Sequence, residues 1–162
     1  MKKLLYLFTF CGFLLGSCSE RTHQGQSDNA EVEGRRLEIL FLGHDSRHHD
    51  SEKFAPMLAL PLFQKGINLT YTSNPDDLTA ENLAKYDGLM IYANHEKITP
   101  GQEQAVKEFV EGGKGLIPIH SASFSFQNSD WYISAVGGQF KSHRTGTFTA
   151  DIVKPEHEVM QG

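Results

Sequence analysis

Cysteine is nearly missing from this sequence: Cys11 and Cys18 are the only two, and both fall ahead of residue 19. Everything downstream therefore lacks a disulfide, a thiolate metal ligand and a cysteine nucleophile, and chemistry that needs one is excluded. Positive charge is also in short supply. Lys and Arg number 15 against 20 Asp and Glu, for a formal net charge of −5. No basic stripe tracks a phosphate backbone, so nucleic acid is not an expected partner. There is no apolar run of the roughly 20 residues that a bilayer-spanning helix needs. The Gly-x-Ser-x-Gly elbow of serine hydrolases is absent as well, and there is no internal repeat.

What the first residues do contain is an export plan. Lys2 and Lys3 form a positive start, and Leu4–Leu15 is a short apolar stretch. It leads into Leu15-Gly16-Ser17-Cys18, small residues immediately before a Cys, which resembles the lipobox of bacterial lipoproteins. The resemblance implies lipidation of Cys18, cleavage before it and acylation of the new amino terminus. Several acyl chains on one residue anchor stably where a single chain is marginal. The expected location is the cell envelope, at the outer membrane rather than the inner, because Ser19 is not the Asp that retains many such proteins at the inner one. Residues 1–17 hold Lys2 and Lys3 and no acid, so cleavage moves the charge from −5 to about −7. Residues 18–34 are then the lipidated Cys and a polar, disordered tether. Residues 35–162 are long enough for one domain.

From Leu37 the pattern alternates between strand and helix. Leu37–Leu42 is a nearly continuous apolar run before Gly43, as in a strand buried on both faces. Ser51–Lys65 reads as a helix closed by Gly66. Pro56 falls in its first turns, and Pro61 in its interior is expected to kink or shorten it, at a cost on the order of 3 kcal/mol in an ideal helix. Ile67–Thr72 is a second strand, Leu78–Lys85 a short helix, and Gly88–Ala93 a third strand. Thr99-Pro100-Gly101-Gln102 has a capping Thr, Pro at the first helical position and Gln at the third, and opens a helix that Gly112-Gly113 stops. Gly115–Ile119 is a fourth strand, with Pro118 marking its end. Ser129 caps a helix over Asp130–Val136, ended by Gly137-Gly138, and Thr147–Val153 alternates as a fifth strand. This is an α/β pattern: a three-layer, flavodoxin-like parallel sheet, expected in the order 2-1-3-4-5.

In such sheets ligands sit beyond the carboxyl ends of the strands. After the first strand come His44, Asp45, His48, His49 and Asp50. After the third come Asn94, His95 and Glu96, and after the fourth His120, Ser121 and Ser123. Strands one, three and four are neighbours in the expected order. Their ends therefore crowd His44, His48 or His49, His95 and His120 around one crevice, with His143 overhanging it. Asp50 and Ser51 also read as caps of the first helix, and Ser129-Asp130 as a cap alone.

His48-His49-Asp50-Ser51, Ile119-His120-Ser121-Ala122-Ser123-Phe124 and Gly137-Gly138-Gln139-Phe140-Lys141-Ser142-His143 resemble, in order, signature segments of ThuA-like domains, named for trehalose utilisation. That resemblance covers Leu37 to Gly162 and implies a class I glutamine amidotransferase-like fold. The family domain runs further than Pro155–Gly162, so the chain reads as incomplete at its carboxyl end. True amidotransferases place a Cys at the turn that here follows Ile119 and reads His-Ser-Ala-Ser, so their activity is not expected.

Two chemistries remain. In the first, His120, His49 and His95 act as general acids and bases on a sugar hydroxyl or beside a sugar carbonyl, since imidazole titrates near neutral pH. Asp50, Ser121, Ser123, Phe140 and His143 would hold the substrate. The resemblance implies a trehalose-like disaccharide or a keto-sugar supplied by a partner sugar dehydrogenase. In the second, His48, His49, His120 and His143 bind a divalent metal such as zinc. A third reading is a non-catalytic carbohydrate-binding module, with Trp131 and Tyr132, and less readily the strand residues Tyr71 and Tyr92, stacking on sugar rings. The anchor is open to a direct measurement. The wild-type protein should incorporate labelled palmitate and partition into detergent, and Cys18→Ala should do neither; a soluble, unlabelled wild type removes the anchor.

Overall fold

The computed structural model describes residues 34–161 except Asp45, Arg47 and His48. Cys18, the leader, most of the tether and His48 lie outside the described residues. Among those described, no helix is long and apolar enough to cross a membrane. Contacts within the chain set residues from Gly34 onward apart as one compact unit.

Four parallel strands form its sheet: β1 Leu37–Gly43, β2 Ile67–Thr72, β3 Gly88–Tyr92 and β4 Gly115–Pro118, in the order β2-β1-β3-β4. From Ile39 onward β1 is an unbroken apolar run because helices cover both of its faces. Leu40 and Leu42 join Leu89, Ile91, Val106, Phe109 and Tyr132 on one face, and Ile39 and Phe41 join Met90 and Ala55 on the other. Each such side chain, fully buried, contributes about 1.5–3 kcal/mol.

The helices begin where short polar side chains can take their free N–H groups. α1 (Ser51–Gln64) starts at Asp50, whose carboxylate accepts from the Lys53 N–H at 3.1 Å. It runs through Pro61 without being shortened. Pro61 and Met57 both face outward, so the Met57 carbonyl that Pro61 leaves without a donor is open to water. α2 is only Ala80–Leu83, because Thr79 takes the Asn82 N–H at 3.2 Å and starts the helix later than expected; a 3-10 turn at Pro75–Asp77 precedes it. α3 (Pro100–Glu111) opens with the expected capping box: Gln102 N–H donates to Thr99 Oγ1 at 3.3 Å, and Thr99 N–H to Gln102 Oε1 at 2.9 Å. α4 (Asp130–Val136) starts at Ser129 and ends at Gly137, whose φ of 89° favours glycine.

The expected fifth strand does not form. Thr147–Val153 carries no regular structure, and Phe148 and Val153 are 88% and 87% exposed. Alternation makes a strand only where a neighbour takes the backbone groups, and no strand pairs with the outer edge of β4 among the described residues. β4 itself is short and largely exposed, ending at Pro118 as expected.

At the other end of β1 the packing is close. An added Cβ on Gly43 would stand 2.3 Å from Tyr71 Cε2 and 2.6 Å from Ser51 Oγ. Ser51 is fully buried, accepts from the His44 N–H at 2.6 Å and donates to the His44 carbonyl at 2.9 Å, so it cannot yield without breaking the β1–α1 connection. Gly43→Ala should therefore destabilise the domain by about 1–3 kcal/mol. Urea unfolding reads this directly, and an unchanged midpoint would show that Tyr71 and Ser51 move aside freely.

Candidate functional site

Because β1, β3 and β4 are parallel neighbours, their carboxyl ends open on one side. The chain leaves β4 through Ile119, whose N–H still donates to the Ile91 carbonyl at 2.8 Å, and turns sharply at His120. His120 has φ of 47°, a left-handed conformation unusual for a non-glycine residue. A 3-10 turn over His120–Phe124 follows and is held from three sides. Ser123 Oγ donates to the His120 carbonyl at 3.2 Å, and the Ala122 N–H to the Ile119 carbonyl at 3.0 Å. The buried Tyr132 hydroxyl donates to the Ala122 carbonyl at 3.0 Å, and burial pushes its ionisation well above the usual phenol range. The turn is also joined to the loop after β3. Ser125 Oγ donates to the Ala93 carbonyl at 2.7 Å, and the Phe126 N–H to the His95 carbonyl at 2.7 Å.

The His49 ring packs edge-on against His120, with centroids 4.9 Å apart at 66°. Tyr92, the last residue of β3, lies 5.9 Å from His49 and 6.1 Å from His120. These histidines line a cleft of about 360 Å³, together with Asn94, Ser121, Ser123, Phe124, Phe140 and His143. The Phe140 N–H donates to the Ser123 carbonyl at 2.9 Å, which seats its ring 6.2 Å from Phe124 and 5.6 Å from His143. Ser121 is buried, and its Oγ has no hydrogen-bond partner among the described residues. A buried hydroxyl without a partner in a cleft wall is suited to a polar ligand.

A family model for ThuA, described as trehalose utilisation, matches residues 38–162. The chain belongs to the ThuA family. A crystal structure of a ThuA-like protein from Bacteroides uniformis has the same fold, at 19% identity and a TM-score of 0.52. That match covers 66% of this chain and 46% of the Bacteroides chain, so this chain spans about half of that protein's length. No curated protein matches.

Of the residues singled out in the sequence, the ThuA domain gathers His49, His120, Ser121, Ser123, Phe140 and His143 around one cleft. Two others stand elsewhere. Asp50 is exposed and spends its carboxylate on capping α1. His95 is half-buried behind the cleft wall, where its Nε2–H donates to the Gly43 carbonyl at 3.1 Å and its ring lies 4.7 Å from that of His44. A ring nitrogen tied to a strand-end carbonyl holds two loops together and is not offered to a substrate. For the metal reading, no three His, Asp or Glu among the described residues are grouped as a metal site requires, so His49, His120 and His143 do not form one by themselves. Asn94 and Phe124 were not singled out as site residues. Asn94 lies two residues past β3, so the strand-end rule reaches it, whereas an aromatic such as Phe124 carries no comparable signal.

Burial holds the His95 imidazole below its usual range; the Gly43 carbonyl opposes this and the His44 charge reinforces it. Below the ordinary value of 6.5 the unfolded chain takes up a proton that folded His95 refuses. The stability from neutral His95 is therefore complete above that value and is lost as pH falls from it toward the lower folded value. Urea midpoints measured from pH 7.5 to 5.5, a window of about two units chosen around the histidine range, should fall less steeply in His95→Gln. Equal slopes would show that His95 does not carry the effect.

Proposed function

We propose that this ThuA-family protein acts on a disaccharide or keto-sugar by acid/base chemistry of His120 and His49, while held at the cell envelope through Cys18. The observation that carries the chemistry is the left-handed turn that projects His120 into the cleft against His49. Two imidazoles in contact can divide the work. The neutral ring accepts a proton from a hydroxyl, or from the carbon beside a carbonyl, and the protonated ring returns one to the leaving or developing oxygen. Ser121 Oγ and Ser123 Oγ hydrogen-bond sugar hydroxyls, and Phe124 and Phe140 cover the C–H faces of a ring. His143, exposed beside Phe140, closes the outer side.

The volume fits one or two sugar rings, within the roughly 300–1,000 Å³ common for ligand clefts. At the turn where an amidotransferase carries its Cys, this chain carries His120, which accords with proton transfer and not with thioester chemistry. A keto-sugar substrate requires an oxidising step upstream, which a partner sugar dehydrogenase supplies. The envelope location is supported by the lipobox-like run before Cys18.

Turnover by the full-length protein decides the matter. His120→Ala should lower kcat on trehalose or its keto derivatives about 10²–10⁴-fold with little change in binding, the range for loss of a positioned general acid or base. His23→Ala, in the polar stretch of sequence that precedes the domain, should change nothing. Unchanged turnover in His120→Ala would remove the catalytic reading and leave a carbohydrate-binding module.

A further inference from the structure

Behind the cleft stands a second pair of imidazoles that the proposed chemistry does not use. His95 is tied to the Gly43 carbonyl, its ring is packed on His44, and His44 Nδ1 is hydrogen-bonded to Asn94 Oδ1. An amide oxygen only accepts, so His44 is the donor in that bond. The bond therefore fixes which way the Asn94 amide faces. With Oδ1 turned back to His44, the –NH2 is what Asn94 has left for the cleft whose wall it forms.

The backbone on either side of Asn94 is also held. The Ala93 carbonyl accepts from the buried Ser125 hydroxyl, and the His95 carbonyl accepts from the Phe126 N–H. Neither the main chain nor the amide plane is free to turn. A donor held in place beforehand binds more strongly than one that must be ordered by the ligand.

We propose that Asn94 is a specificity-determining residue of the cleft, oriented by His44 so that it offers hydrogen-bond donors, and no acceptor, to an oxygen of the bound sugar. This rests on the carbohydrate reading of the site. It selects a hydroxyl, ring or carbonyl oxygen at that position. A group that can only donate, such as the ammonium of an amino sugar, finds no partner there and loses its water on entry. The rings of His44 and His95 act on the ligand only through Asn94, as positioning residues.

Calorimetric titration of the full-length protein with trehalose and its keto derivatives tests this, beside nitrogen-15 NMR of the His44 ring. The wild type should show His44 protonated at Nδ1, and Asn94→Ala should shift it toward the Nε2–H form. Asn94→Leu, which has nearly the same shape and donates nothing, should weaken trehalose binding about tenfold, the size expected when a ligand oxygen loses its one donor in the cleft wall. His44→Leu should weaken binding by less, about threefold, because the freed amide can still face inward part of the time. His44→Asn, whose amide N–H can stand where Nδ1–H stood, should restore it. A residue that served only the fold would affect thermal unfolding in all variants and would not separate His44→Asn from His44→Leu. Wild-type affinity in Asn94→Leu, or an Nε2–H tautomer for His44 in the wild type, would overturn the role of Asn94 and leave the carbohydrate reading standing. A wild-type protein that binds neither trehalose nor its keto derivatives would overturn both.

Discussion

The register of three parallel strands governs everything at the cleft. Gly43 is paired with Tyr92 and Ile91 with Pro118, so β1, β3 and β4 finish at nearly one level. The residues just past the strand ends, His44, Asn94 and His120, therefore emerge on the same side of the sheet. Parallel strands need long crossovers, and these return the chain to the far end of the sheet each time, leaving the near end to loops. A slip of one residue in any pairing would exchange the two faces of that strand and move its polar tail out of the group. Gly43 and Gly88 stand where a side chain would collide with Tyr71 and Ile39, and that opposes such a slip.

The cleft is built from a strained turn and a dense set of bonds around it. A non-glycine residue in the left-handed region costs on the order of 1–3 kcal/mol. His120 is kept there by hydrogen bonds from Ser123, Ala122 and Tyr132 to the carbonyls around it, and by those from Ser125 and Phe126 to the neighbouring loop. Apart from Ser123, whose bond is exposed, these donors belong to buried residues, so releasing one would strand a polar group away from water. Rigidity at this turn is what allows an exposed imidazole to hold a fixed direction.

Much of this arrangement was legible in the residues themselves. Continuous apolar runs identified β1 and β3, the Thr99 capping box placed the start of α3, and Gly137 placed the end of α4. The strand-end rule then gathered His49, His120, Ser121 and Ser123 correctly, because it depends only on strand order. It failed where side-chain direction matters. His95 follows Asn94 immediately in the same loop, yet its ring turns to the Gly43 carbonyl while Asn94 lines the cleft. Asp50 carried two readings, and the demand of the Lys53 N–H at the start of α1 decided for the cap. Thr147–Val153 has the alternation of a strand, but alternation describes a face and does not provide a partner.

Parallel pairing also fixes when the cleft can exist during folding. Each pairing joins segments separated by a whole helix and its loops, as Leu37 with Ile67 or Gly88 with Gly115. Such contacts must overcome loop-closure entropy before they gain any burial, and folds dominated by them assemble slowly. The cleft needs all three of these strand ends, and so cannot appear until the last of the crossovers has closed. A ligand cannot template an early intermediate here, since its residues are still scattered along the chain. Its stabilising effect is confined to the finished domain, where it slows unfolding instead of hastening assembly.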